Sequence, residues 1–183
     1  MHPLFTVHAG EFLVGRHIER NFRTLNVWIP SKDTGIDLLV TNERNSCSVS
    51  LQVKLSRDYN ESEAISEFDR SLAAGGWFRL FHEKIANSKA DYWVFVLVSY
   101  ERKIRPRFIV IPPHKLLEQL EKIHGNSKSY HFYPWIMKSN DALDGRGLKK
   151  SDKAALSDGS FELGSRSLTT FLDNWTALKE LQV

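Results

Sequence analysis

Four side chains in the first third of the chain, Glu11, Asp37, Gln52 and Lys54, have the types needed to set a hard cation against a phosphodiester. Two carboxylates neutralise a divalent ion, and an amide oxygen and backbone carbonyls such as that of Val53 complete an oxygen shell suited to Mg2+ or Mn2+. A charged lysine cannot ligate the ion. Charged, it can orient a water and stabilise charge growing on phosphate; only as a neutral amine could it deprotonate that water. Together these groups are equipment for metal-assisted hydrolysis of a phosphodiester.

The elements that must position them follow from hydrophobic spacing. Gly10 to Arg23 reads as a helix, with Leu13, Val14, Ile18 and Phe22 on one stripe, Arg16, Glu19, Arg20 and Arg23 toward solvent, and Glu11 in its first turn. A carboxylate there also suits the helix N-terminus, and Glu19 is the alternative helix acid. Three β segments follow, Asn26 to Ile29, Ile36 to Thr41 and Cys47 to Leu55, with turn-forming residues between them. In the third, Cys47, Val49, Leu51, Val53 and Leu55 alternate with Ser48, Ser50, Gln52 and Lys54, so Gln52 and Lys54 share the polar face. Asp37 interrupts an otherwise apolar strand, Ile36 to Val40. If the second and third segments pair, it falls within reach of that face, and a helix across the sheet could add Glu11.

Beyond the sheet, Glu61 to Ala73 and Trp77 to Ala86 read as helices separated by Gly75-Gly76. Tyr92 to Ser99 and Arg107 to Ile111 read as strands, and Pro112-Pro113 opens a helix to about Ile123. Tyr130 to Met137 is expected to be a strand, Ser139 to Gly164 a loop with a short helix at Lys150 to Leu156, and Thr169 to Leu181 a closing amphipathic helix. The five tryptophans are expected in the core, and His114 and His131 on the surface or in the core.

Composition narrows the class. The 183 residues are 42% hydrophobic and 26% charged, which is enough to bury a core and argues against disorder. A single cysteine, Cys47, rules out an internal disulfide framework, and no zinc-type cluster is visible. With no leader or long apolar run apparent, the expectation is a soluble, cytoplasmic protein with no membrane partner. Bulk charge, 25 Lys and Arg against 22 Asp and Glu, is too small to bind a polyanion unaided. Arg57, Lys149 and Lys150 are the candidate contacts to a nucleic-acid backbone.

Gly10-Glu11, Gly35-Ile36-Asp37-Leu38-Leu39-Val40 and Leu51-Gln52-Val53-Lys54, in this order, resemble the PD-(D/E)XK nuclease superfamily. The resemblance implies an α/β protein with a restriction endonuclease-like αβββαβ core, a central mixed β-sheet flanked by helices. Residues 1–183 would form one such domain with a C-terminal helical extension. It implies a Mg-dependent endodeoxyribonuclease serving restriction, transposition or repair. Asp37 would be the central metal ligand, Gln52 would replace the motif's second acid, Lys54 would be the motif lysine and Glu11 the helix carboxylate. Asp37 lacks the preceding proline, and Gln52 brings no charge, although Mrr-type restriction enzymes and transposon nucleases in the family also use Gln-x-Lys. One such site cuts one strand, so duplex cleavage would call for a homodimer or two binding events. RNA stays open as a substrate, since a backbone-directed metal site does not read the sugar. The alternatives are a catalytically inactive module of this fold that binds nucleic acid or a partner protein, and an α/β interaction protein in which Asp37, Gln52 and Lys54 lie far apart.

Overall fold

A computed structural model describes residues 9–32, 34–56, 66–98 and 105–182. Helix α1 (Ala9–Asn21) buries Val14 and Ile18, the stripe that its spacing predicts. Strands β1 (Asn26–Trp28), β2 (Leu38–Thr41) and β3 (Ser48–Ser56) then form an antiparallel meander. The β2–β3 turn is fixed by Asn42, whose Oδ1 accepts the Ser46 and Cys47 N–H groups, with Asn45 at φ 56°.

Between β3 and the next long strand lie α2 (Glu67–Ser71), β4 (Leu72–Gly75), β5 (Phe78–Phe81) and α3 (His82–Ala86). β6 (Tyr92–Leu97) returns parallel to β3, and β7 (Arg107–Ile111) is antiparallel to β6. The central sheet is therefore mixed and five-stranded, in the order β1-β2-β3-β6-β7. α4 (Pro113–His124), β8 (Ser129–Phe132), β9 (Pro134–Met137), β10 (Ala142–Asp144), α5 (Lys150–Asp158) and α6 (Thr176–Leu181) complete the chain. β10, β9 and β4 form a second, three-stranded sheet, and β5 pairs with β8 in a two-stranded one.

The central sheet is covered on both faces. Leu38, Val40, Leu51, Val53, Val94 and Val96 pack against Val14 and Ile18 of α1 and Leu178 of α6. Trp93, Phe95, Leu97, Ile109 and Ile111 point the other way, onto Phe78, Leu80, Leu116, Leu120 and Phe132. β6 thus buries both sides, and each such side chain contributes about 1.5–3 kcal/mol by leaving water. Among the described residues no helix is long and apolar enough to cross a membrane.

The structure departs from expectation after β3. Residues 61–65 of the first expected helix lie outside the described residues, and only Glu67–Ser71 is helical, opened by Ser66 and Asp69 capping each other. Leu72–Gly75 is a strand because β9 offers it a ladder, and Gly75 lies so close to Trp135 that a Cβ there would sit 3.2 Å from the indole. In Trp77 to Ala86 the helical spacing of Phe78, Phe81 and Ile85 gives way to a strand over Phe78–Phe81, where residues alternate buried and exposed, and helix begins only at His82. Tyr130 to Met137 is split at Tyr133 into two strands that serve different sheets. In Ser139 to Gly164 the expected short helix forms as α5, and the departure is the strand β10, whose Asp144 is fully buried. At the C-terminus only Thr176–Leu181 is α-helical, because Asp173, at φ 47°, turns back to take the Phe108 N–H on its carboxylate.

Candidate functional site

Asp37, Gln52, Val53 and Lys54 lie where β2 and β3 part. Their ladder begins at Leu38 and Leu51, so β3 runs on through Gln52 to Ser56 with β6 on one side and no β2 strand on the other. Asp37 stands one residue before β2. Its N–H donates to the Leu51 carbonyl at 2.8 Å, and its Oδ2 accepts the Val53 N–H at 2.6 Å. The carboxylate thus takes the position that the next ladder partner would fill. In a hydrogen-bonded strand pair one residue turns both its N–H and C=O toward the same neighbour. The Val53 carbonyl therefore opens on the side where Asp37 lies.

Gln52 and Lys54 are half-buried neighbours on one face of β3. Their register partners on β6 are Trp93 and Phe95, and the Lys54 ammonium lies 5.6 Å from the centre of the Trp93 ring. That indole is pinned from behind by its N–H bond to Ser88 Oγ at 2.9 Å. A cation–π contact holds the lysine head near the sheet end without neutralising it.

Glu11 arrives from the opposite layer. α1 packs on the face of Val53, and a Cβ on Gly10 would lie 3.2 Å from Val53 Cγ1 and 3.0 Å from Leu55 Cβ, so the helix start sits directly over the extended end of β3. Glu11, 9% exposed, lines a cleft of about 490 Å³ with Leu38, Arg16 and Glu19. Glu11 on one face and Gln52 with Lys54 on the other can share a ligand only around the open edge of β3 at Val53, which Asp37 occupies. Asp37 and Val53 are joined directly, Gln52 and Lys54 flank them, and Glu11 is brought to the same strand end rather than to the same face. Glu19 lines the same cleft and is exposed.

The donors suit the ion expected from their types: two carboxylates, an amide and a peptide carbonyl are all hard oxygens. Among the described residues no group of three His, Cys, Asp or Glu side chains is placed to hold a metal. An ion at Asp37 would therefore depend on two acids and neutral oxygens.

Of the expected backbone contacts, Arg57 lies outside the described residues. Lys149 and Lys150 are exposed at the start of α5, where Asp152 accepts the Lys149 N–H at 2.8 Å, and α5 packs on α2. Trp93, Trp135 and Trp175 are core residues as expected, whereas Trp28 and Trp77 are exposed. The alternation Phe78-Arg79-Leu80-Phe81 is the signal that could have shown Trp77 to begin a half-exposed strand.

A second polar cluster was not visible in the sequence. His124 Nε2 lies 2.7 Å from Asp144 Oδ2, and Asp144 Oδ1 accepts the N–H groups of Tyr133 and Arg146. Its members are twenty residues apart on α4 and β10. No pattern in either element marks the pairing. No match to this chain is found among known protein families, curated proteins or solved structures.

Proposed function

We propose that this protein is a metal-dependent endonuclease that hydrolyses phosphodiester bonds in DNA, built on a restriction endonuclease-like core of the PD-(D/E)XK kind. The observation that carries the reading is the 2.6 Å bond from the Val53 N–H to Asp37 Oδ2, which holds a carboxylate beside the Gln-x-Lys segment at the open edge of a strand. The order of elements supports it as well: a helix, an antiparallel meander and then a strand parallel to the third fit an αβββαβ arrangement.

In this reading Asp37 Oδ2 is committed to the backbone and Oδ1 meets the cation. Val53 offers its carbonyl, Gln52 its amide oxygen and Glu11 the second negative charge. A bound Mg2+ or Mn2+ would supply Lewis acidity and an activated water. Lys54, charged and steered by Trp93, stands to hold that water or the phosphate oxygens. Duplex cleavage would then need two copies or two encounters.

The test is conversion of supercoiled plasmid to nicked and linear forms in Mg2+ or Mn2+, with EDTA and Asp37→Ala as controls. Metal-dependent nicking that disappears in Asp37→Ala is expected. Equal behaviour of wild type and variant at matched purity would leave a binding module without catalysis.

A further inference from the structure

The two-stranded sheet of β5 and β8 has one face in the core and one in water. Phe78 and Leu80 turn inward with Tyr130 and Phe132, while Trp77, Arg79, Phe81 and His131 lie along the other side. Trp77 is 44% exposed and Phe81 43% exposed. Single exposed rings are ordinary. These two are held by polar neighbours: the Arg79 guanidinium lies 5.2 Å and the Lys84 ammonium 5.9 Å from the Phe81 ring centre. The Trp77 indole N–H donates to His131 Nδ1 at 3.3 Å, with the rings tilted by 31°. Charge on this surface is weakly positive. Three cations, Arg79, Lys84 and Lys128, stand against two acids, Glu83 and Glu121, and Glu121 lies 3.3 Å from His82. Lys128 is brought in by its carbonyl, which accepts the His82 N–H at 3.1 Å.

The surface begins at the candidate site. The Trp77 N–H donates to Ser56 Oγ at 3.0 Å, and Ser56 lies two residues beyond Lys54 on the same face of β3. Gly76 makes the approach possible, because a Cβ there would sit 2.6 Å from Leu97 Cδ2.

We infer that the outer face of β5 and β8 binds single-stranded DNA, stacking bases on Trp77 and Phe81 and holding phosphates on Arg79, Lys84 and Lys128, beside the end of β3 that carries Lys54. Two rings four residues apart on a strand are separated by about 13 Å, a span for unpaired bases and not for a duplex, whose base faces are already stacked. Lys84 and Lys128 beside the rings favour a polyanion over a protein partner, since protein interfaces are depleted of lysine. The inference rests on the nuclease reading for where the strand leads, and binding is measurable without cleavage.

The experiment is fluorescence anisotropy with a labelled 12-nucleotide oligothymidylate in EDTA at low salt, on wild type, Trp77→Ala, Phe81→Ala and the double variant. A duplex and an oligouridylate of equal length serve as comparators. The wild type is expected to prefer the oligothymidylate and to lose about tenfold in affinity with each ring removed, with each variant still folded by circular dichroism at the assay temperature. Unaltered binding by the double variant, preference for duplex or oligouridylate, or self-association that the double variant abolishes would overturn the inference. The last result would assign the face to a second copy. Ring-dependent binding without plasmid cleavage in Mg2+ or Mn2+ would keep this inference and remove the nuclease reading. Cleavage with ring-independent binding would do the reverse.

Discussion

Val53 gives its backbone N–H to Asp37 Oδ2 at 2.6 Å at the point where β2 no longer pairs with β3. The bond replaces a missing ladder contact, so one oxygen of the side chain does structural service. A purely structural carboxylate and a metal ligand therefore differ in what an amide substitution would do.

Asp37→Asn keeps an oxygen for the Val53 N–H and removes the charge. Its melting temperature should stay within about 3 °C of wild type, since a neutral hydrogen bond differs from a charged one by only about 1 kcal/mol. Nicking activity should fall at least 100-fold, the scale lost when charge stabilisation at a reacting group is removed. Calorimetry and plasmid nicking on the same preparation check both halves. Equal activity would return Asp37 to a structural role.

In the proposed site Gln52 would offer an oxygen and no charge, so a cation there would be held weakly. Gln52→Glu should lower the Mn2+ concentration for half-maximal nicking about tenfold. Lys54→Met keeps the aliphatic stem over Trp93 and deletes the ammonium. It should suppress nicking while leaving Mn2+ binding, read by isothermal titration, unchanged. A Lys54→Met variant that cuts normally would assign the lysine to packing alone.

How much of this was legible depends on the range of the deciding contact. α1, the β1–β3 meander, β6, β7 and α4 follow from local periodicity, and so does the shared face of Gln52 and Lys54. Leu72–Gly75 became a strand because β9, more than sixty residues on, supplies its ladder, and no window of sequence contains that fact. Asp37 looked like an intrusion inside a strand. It lies just outside one, since its carboxylate competes with the ladder for Val53. Glu11 was placed on the right helix, but its face relative to Gln52 was invisible, because periodicity reads one element at a time.

His17 of α1 packs against the rings of Phe108, 4.7 Å away, and Trp175, 5.0 Å away, which also touch each other at 5.3 Å. Burial lowers its pKa below the ordinary 6.5, partly opposed by the nearby Asp173 carboxylate. A histidine depressed in the folded state favours folding while neutral. That contribution is present above pH 6.5 and is lost as acid protonates the unfolded chain first. The melting temperature should fall between pH 7.5 and 5.5, and His17→Phe, which keeps a ring against Phe108 and Trp175, should fall less over the same interval. Parallel curves for the two proteins would remove His17 as the origin.

Asp144 is 0% exposed and satisfies three donors: the N–H groups of Tyr133 and Arg146 at 3.3 and 3.0 Å, and His124 Nε2 at 2.7 Å. Arg166 braces the same turn by donating to the carbonyls of Asp144 and Arg146. Asp144→Ala strands these groups in the interior and should cost about 3–5 kcal/mol, or about 10 °C in melting temperature for a chain of this size. Asp144→Asn retains an acceptor for the two amides and should lose less than half of that. Because the cluster ties α4 to β10 away from β3, metal binding at Asp37 in the still-folded Asp144→Asn protein should be unchanged at 15 °C. Urea midpoints with Mn2+ titration on that variant separate the two effects, and weakened Mn2+ binding would show that the two polar clusters are coupled through the fold.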